Sequence, residues 1–254
     1  MTPPKLAFTI GAYRLVDFVI LGVKQLQRIS PDSPILISDD KSEESKYMEL
    51  VAEQHGVNYK CSKIRRGHFA NDFQSLVHAL AFAEAAGADV AVKISQRTIL
   101  RKPEAIGIIQ TVFTDPNICA ATPGQPKVTG GSRAAKGFKA FAILSDIVMI
   151  RVGCMSAQDL LVMYRERLIR ERTPWGSFIE CAVDDLHNRK FTGRTAKVPE
   201  FTDQTEDPIY LRRYQSTEQQ YRELALSHGI NGHYRLDEWN QLERGKYLCR
   251  PVVV

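Results

Sequence analysis

The chain predicts an α/β fold: a Rossmann-like, mainly parallel sheet flanked by helices. Short apolar runs alternate with amphipathic segments from Lys5 to Ile94, in the order β-α-β-α-β-α-β. Two of those runs end in polar residues, Asp39-Asp40 and Ser95-Gln96-Arg97. In open α/β sheets ligands gather outside the carboxyl ends of strands, so these ends are where a site is expected. A length of 254 residues is enough for one large domain of this kind with a C-terminal extension.

Each element has its own signal. Lys5–Ile10 is an apolar run stopped by Gly11, a first strand and turn. Arg14–Ile29 carries Leu15, Phe18, Val19, Leu21, Gly22 and Leu26 at helical spacing. Ser30-Pro31-Asp32-Ser33-Pro34 is loop chemistry, and Ile35–Ser38 is a second strand. Ser45–His55 reads as a helix closed by Gly56, followed by a short strand over Val57–Cys61. Asn71–Ala86 is alanine-rich and apolar at Phe73, Leu76, Val77, Leu80 and Ala81, a helix stopped by Gly87. Ala88–Ile94 is the fourth strand.

Beyond Pro103 the expected elements are a helix over Ala105–Phe113 and a strand over Ile118–Thr122. Pro123–Lys139 is a long polar connection, and strand character resumes over Ala140–Arg151. Helices are expected over Ser156–Glu171, N-capped by Ser156, and over Gly176–Asn188. The tail from Phe191 reads as irregular, with a helix near Thr217–Ser227.

Composition narrows the function classes. The net charge of +5 comes from dispersed Lys and Arg, which argues against a nucleic-acid footprint and suits a small anion equally well. Five scattered cysteines without CxxC or a Cys/His cluster predict reduced thiols in a cytoplasmic protein, not a zinc site or disulfide frame. No stretch reaches the roughly 18 apolar residues of a membrane span, and the N-terminus lacks a signal-peptide pattern.

Three stretches together resemble the nucleotide-sugar-dependent glycosyltransferases of the GT-A fold, family 2-like. Ile35–Ser42 is similar to the family's strand followed by DDxS, Asn71–Ala83 to its Asn-led helix, and Ala88–Leu100 to the strand that ends in Asp-x-Asp. The resemblance runs over residues 5–180, most clearly 5–100. It implies a GT-A-like domain over 1–190, with a C-terminal extension over 191–254 packed on it. It also implies a nucleoside diphosphate sugar as donor and a carbohydrate-containing acceptor: a glycan, a lipid-linked sugar or a protein.

The chemistry of each position can be stated independently. A carboxylate at a strand end can accept from a base N–H or a ribose hydroxyl, which makes Asp39 and Asp40 candidates beside the chain at Thr9 and Gly11. The bland alternative is a turn or helix cap after the strand. Arg66, His68 and Asn71, at a glycine-bearing helix entrance, could cradle the diphosphate, although basic loop residues are more often solvated.

The departure from the family lies in Ser95-Gln96-Arg97, which stands where Asp-x-Asp would hold a divalent cation. Neither serine nor arginine replaces a carboxylate as a metal ligand. No cofactor is therefore expected, and Arg97 could meet the charge of the diphosphate instead. An ordinary surface cation at a strand end is an equal reading of Arg97.

Inverting transfer needs a carboxylate to take the acceptor proton. Glu180 is the first candidate, with Asp184 one helical turn onward. Trp175 and Arg133, the latter in the long connection, are candidate acceptor contacts. Packing and solvation are their competing roles. Two other readings stand beside the transferase. One is a non-catalytic GT-A-like binding or scaffolding domain in a glycan-assembly system. The other, a nucleotidyltransferase, normally has a Gly-rich basic loop after strand one, which Gly11-Ala12-Tyr13-Arg14 does not make.

Overall fold

The computed structural model describes residues 2–65, 68–123, 146–162, 194–201, 207–212 and 216–231. Its strands are β1 (Leu6–Ala12), β2 (Ile35–Asp39), β3 (Asn58–Cys61), β4 (Val90–Ser95), β5 (Ile99–Leu100), β6 (Ile118–Pro123), β7 (Ile147–Arg151), β8 (Arg194–Val198) and β9 (Tyr210–Leu211). Seven form one sheet in the order β3-β2-β1-β4-β7-β6-β8, while β5 and β9 pair with each other. Every contact in the main sheet is parallel except those of β7, which runs against both neighbours. This is the mainly parallel sheet expected from the strand–helix alternation.

Helices α1 (Val16–Ile29), α2 (Ser45–His55), α3 (His68–Ala85), α4 (Glu104–Val112) and α5 (Glu218–Leu226) flank it. Strand alternation sorts the core into two layers. Leu6, Phe8, Ile10 and Ala12 of β1 join Ile35, Ile37, Val90, Val92 and Ile94 on the face covered by α1, α2 and α4. The intervening Ala7 and Ala91 meet Phe73, Leu76, Val77, Leu80 and Ala83 of α3 on the other face. Each Val, Leu, Ile or Phe among them contributes about 1.5–3 kcal/mol on full burial, which fixes the register of strand and helix together.

Helix termini account for their own polar groups. The N-terminus of α1 has no cap from its own Leu15, but Glu44 Oε2 accepts from Val16 N–H at 3.1 Å. That carboxylate also favours the positive end of the helix dipole. Gly56 ends α2 at φ 62°, the left-handed geometry that glycine adopts without a Cβ penalty. Ser156 caps a helical turn over 157–162 in reciprocal fashion: its Oγ accepts from Asp159 N–H at 3.0 Å, and Asp159 Oδ2 accepts from Ser156 N–H at 2.9 Å. Thr217 and Gln220 form the same box at α5.

The tail from Phe191 differs from the irregular chain expected. Arg194–Val198 is an edge strand parallel to β6, and Tyr210–Leu211 pairs antiparallel with β5. Both are short, and β8 alternates Thr and Lys with small residues, so neither carries an apolar period. Helix α5 then packs Tyr221, Leu224 and Ala225 against Phe18 and Leu21 of α1. The expected helix over Gly176–Asn188, the connection of Pro123–Lys139 after its first residue, positions 140–145 of the expected Ala140–Arg151 strand and 163–171 of the Ser156–Glu171 helix lie outside the described residues. No helix among the described residues is long and apolar enough to cross a membrane.

Candidate functional site

The carboxyl ends of β2, β1 and β4 lie side by side, with Gly11 in register with both Ser38 and Ser95. On the α3 face the sheet turns polar toward this edge. Thr9 pairs with Lys93 one step earlier, and both are fully buried. Lys93 Nζ donates to Ser95 Oγ at 3.0 Å, so a buried ammonium lies directly beneath the strand end. Thr9 Oγ1 is buried without a hydrogen-bond partner. Ser38 Oγ lies 2.8 Å from His78 Nδ1, and His78 Nε2 lies 2.8 Å from Gln74 Nε2. An amide nitrogen only donates, so His78 Nε2 accepts and its Nδ1–H donates to Ser38.

Gly11 has a packing reason in this arrangement. A Cβ there would stand 2.8 Å from Ser75 Oγ and 3.1 Å from Ser75 Cβ. Glycine lets α3 lie this close to β1.

Asp39 and Asp40 are both buried. Asp39 organises its own surroundings: Oδ1 accepts from Ser42 N–H at 3.2 Å, while Oδ2 accepts from Tyr59 Oη at 3.1 Å and from the Ser45 hydroxyl. Burial and, next, the Asp39 carboxylate push the Tyr59 hydroxyl well above the ordinary tyrosine range. Asp39 thus ties β2, β3 and the start of α2 together. Asp40 N–H donates to Ala12 C=O at 3.0 Å and continues the β1–β2 ladder past the strand end.

Tyr13, which no motif in the sequence marks as a site residue, also stands at this edge. It follows β1, is half-buried, and has the Arg65 and Arg14 guanidinium carbons 4.4 Å and 5.3 Å from its ring centroid. Burial raises its hydroxyl pKa, opposed by those two cations. Its aromatic type immediately after the first strand was the available signal. Gln96 holds this segment. Its Oε1 accepts from Tyr13 N–H at 2.6 Å, and its Nε2 donates to Tyr13 C=O at 3.1 Å.

Arg97 is 3% exposed, buried in the turn between β4 and β5 and not a surface cation. The fully buried Tyr221 donates its hydroxyl to the Arg97 carbonyl. Burial raises the Tyr221 pKa, with the Arg97 and Arg212 charges acting to lower it and Asp146 to raise it. Asp146 precedes β7, and its carbonyl accepts from Ser95 N–H at 2.8 Å.

Of the residues expected at the site, the structure therefore gathers Thr9, Gly11, Asp39, Asp40, Ser95, Gln96 and Arg97 on one strand edge. His68 and Asn71 stand in the first turns of α3. Arg66, Arg133, Trp175, Glu180 and Asp184 lie outside the described residues. A cleft of about 580 Å³ opens elsewhere, between α1, α2 and the chain after α5, and is lined by Asp17, Lys24, His55 and Asn231 among others. None of the strand-edge residues belongs to it.

The parallel sheet with a reversed β7, and α3 against its polar carboxyl edge, define a GT-A-type fold. Solved structures agree. A mannosyltransferase from Pyrobaculum calidifontis, solved with GDP-Man and Mn²⁺, is similar at a TM-score of 0.53 and 12% identity, over 80% of this chain and 56% of that one. The chain thus spans little more than half of that protein's length. Glucosyl-3-phosphoglycerate synthase from Mycobacterium tuberculosis, solved with Mn²⁺, UDP and phosphoglyceric acid, is similar at 0.50 and 15% identity, over 90% and 80% of the two chains. A cytidylyltransferase from Leptospira borgpetersenii is found at 0.49 and 12% identity, over 95% and 94%. No model of a known protein family matches the chain, and no curated protein sequence does.

Proposed function

We propose that this chain moves a sugar from a nucleoside diphosphate sugar to a hydroxyl of a carbohydrate-containing acceptor, using basic side chains where a divalent cation would otherwise act. The observation that carries the reading is Arg97: a guanidinium buried at the turn after the central strand, on the carboxyl edge of a GT-A sheet. The P. calidifontis and M. tuberculosis proteins are described with Mn²⁺; the side chains of Ser95, Gln96 and Arg97 at the β4 edge here favour a metal-free reading. Ser95 Oγ accepts from an ammonium, Gln96 Oε1 accepts from Tyr13 N–H, and Arg97 is itself a cation. A divalent ion at this edge would meet two positive side chains and no carboxylate from the three residues.

In this reading the acceptor oxygen attacks the anomeric carbon. The bond from that carbon to the diphosphate oxygen breaks, and its electron pair leaves with the nucleoside diphosphate. Arg97 meets the charge that develops there. The acceptor proton passes to a carboxylate, a role proposed for Glu180 with Asp184 a helical turn away. Inversion at the anomeric carbon follows from a single displacement of this kind. Tyr13 offers an aromatic face at the end of β1 beside the Asp39-Asp40 segment, which suits a nucleobase.

The test is release of nucleoside diphosphate from a panel including GDP-mannose and UDP-glucose, with EDTA or with MnCl₂. Turnover should be indifferent to EDTA and fall about a hundredfold in Arg97→Ala, the scale of losing one charge-stabilising donor group. Strict dependence on Mn²⁺ would overturn the metal-free part, and failure to bind any nucleoside diphosphate would overturn the enzyme. A non-catalytic GT-A domain is the second reading. It is favoured by one observation: Asp39 and Gln96 spend their polar atoms on their own chain.

A further inference from the structure

The C-terminal part of the chain brings a second guanidinium to the strand edge. Arg212 directly follows β9, whose antiparallel pairing with β5 sets it close to the turn after β4. It is 7% exposed, and its Nε donates to Asp146 Oδ2 at 2.6 Å. Asp146 in turn is fastened to the β4 end through the Ser95 N–H. Arg212 Nη1 is buried and has no hydrogen-bond partner. A buried N–H of this kind is costly to leave unmet, and such exceptions call for an acceptor. Arg97 shares the neighbourhood, since the Tyr221 hydroxyl that donates to its carbonyl lies within electrostatic reach of Arg97, Arg212 and Asp146 alike. Among the described residues, two guanidinium groups and one carboxylate thus act on the same buried hydroxyl, in surroundings where charges are weakly screened.

We propose that Arg212 and Arg97 together form an anion site for the diphosphate of a nucleotide, with Arg212 Nη1 as its unmet donor and Asp146 as the group that fixes Arg212 in place. The identity of the ligand rests on the transferase reading above. A guanidinium presents parallel N–H donors that match phosphate oxygens. Arg212 lies outside residues 5–180, over which the sequence motifs resemble the GT-A glycosyltransferases, so the site joins the GT-A sheet to its extension.

Isothermal titration of inorganic pyrophosphate, UDP and GDP, with EDTA in every solution, tests the proposal. The variants are Arg212→Lys, which keeps the charge without a forked donor, and the double variant Arg212→Met with Asp146→Asn, which strands no charge. Thermal unfolding without ligand checks that each is folded. Wild-type protein should bind pyrophosphate and at least one of the nucleotides, with affinity lowered tenfold or more in the double variant and less in Arg212→Lys. Equal affinity in wild type and folded variants overturns the proposal and leaves the transferase reading intact. Arg212-dependent binding of pyrophosphate without binding of any nucleotide supports the anion site and removes the transferase reading. Wild-type protein that binds none of the three probes overturns both. Should the double variant not fold, Arg212→Lys decides: unchanged affinity overturns the proposal, and weakened affinity supports it.

Discussion

The side-chain amide of Gln96 grips the backbone of Tyr13 at two points, accepting from its N–H and donating to its C=O. The clamp holds a demanding stretch of chain. Arg14 and Leu15, immediately after Tyr13, both have φ of 58°, a left-handed conformation that residues with a Cβ rarely adopt. Backbone held this way persists where its surroundings over-determine it, and it clusters at functional sites.

Replacing Gln96 with Ala should therefore act on both fold and ligand. The two Tyr13 groups lose their partner, at about 1–3 kcal/mol if they stay buried, read by urea denaturation. Nucleoside diphosphate affinity should fall as well, because Tyr13 loses its fixed position. Unchanged stability would mean that the clamp is incidental.

Asp39 separates a structural carboxylate from a ligand-binding one. Asp39→Asn replaces one of the two acceptor oxygens with a donor, and the Ser42, Ser45 and Tyr59 donors cannot all be served. The expected loss is about 1–3 kcal/mol, whether or not ligand is present. Tyr59→Phe should cost about 1 kcal/mol, as one hydrogen bond. If Asp39→Asn left stability untouched and abolished nucleotide binding, the carboxylate would belong to the ligand.

Gly11→Ala tests how closely α3 is seated. The new methyl would crowd Ser75 Oγ and Cβ, and overpacking of this kind costs about 1–3 kcal/mol. Ser75→Ala in the same chain removes the nearer atom and should restore part of the loss. The comparison of the three variants by thermal unfolding decides it.

Two histidines give a pH dependence. Burial lowers the pKa of His228, helped by Arg28 and Lys24, and burial lowers that of His55, helped by Lys24. The unfolded chain thus takes up these protons at higher pH than the folded one does. Stability from the neutral imidazoles is full above the unfolded value of about 6.5 and is lost as pH falls below it toward the depressed folded values. Denaturation midpoints should drop on acidification from pH 7 through 6, and the His55→Gln, His228→Gln double variant should show a shallower slope. An equal slope would place the effect elsewhere.

The first half of the chain announced itself because its signals are local. The periodicity of α1 and α3, the apolar runs of β1, β2 and β4, and Gly56 as a helix stop all lie within one segment each. The predicted Ser45–His55 helix is the observed α2. The roles within the site were harder to read. Asp39, Gln96 and Gly11 sit where a ligand contact was expected, but their observed partners, Tyr59, Tyr13 and Ser75, come from other elements. No spacing within the sequence reveals such pairings. Arg212 and β8 went unread for the same reason: each is set by a distant partner, Asp146 and β6 respectively. The buried Lys93 breaks an otherwise apolar strand, and only the register beside Thr9 and beneath Ser95 gives it meaning.

The hydrogen bond from Tyr221 to the Arg97 carbonyl joins residues 124 positions apart. Synthesis runs from the N-terminus, so the central strands are made well before Tyr221. The central strands β1, β2 and β4 can therefore pair while the segment that carries Arg212 and Tyr221 is still being made. During that interval the strand edge lacks both the Tyr221 bond to the Arg97 carbonyl and the Arg212 guanidinium. A chain that stopped before β9 would lose both of these fastenings from the far end of the sequence, while keeping every residue of β1, β2 and β4.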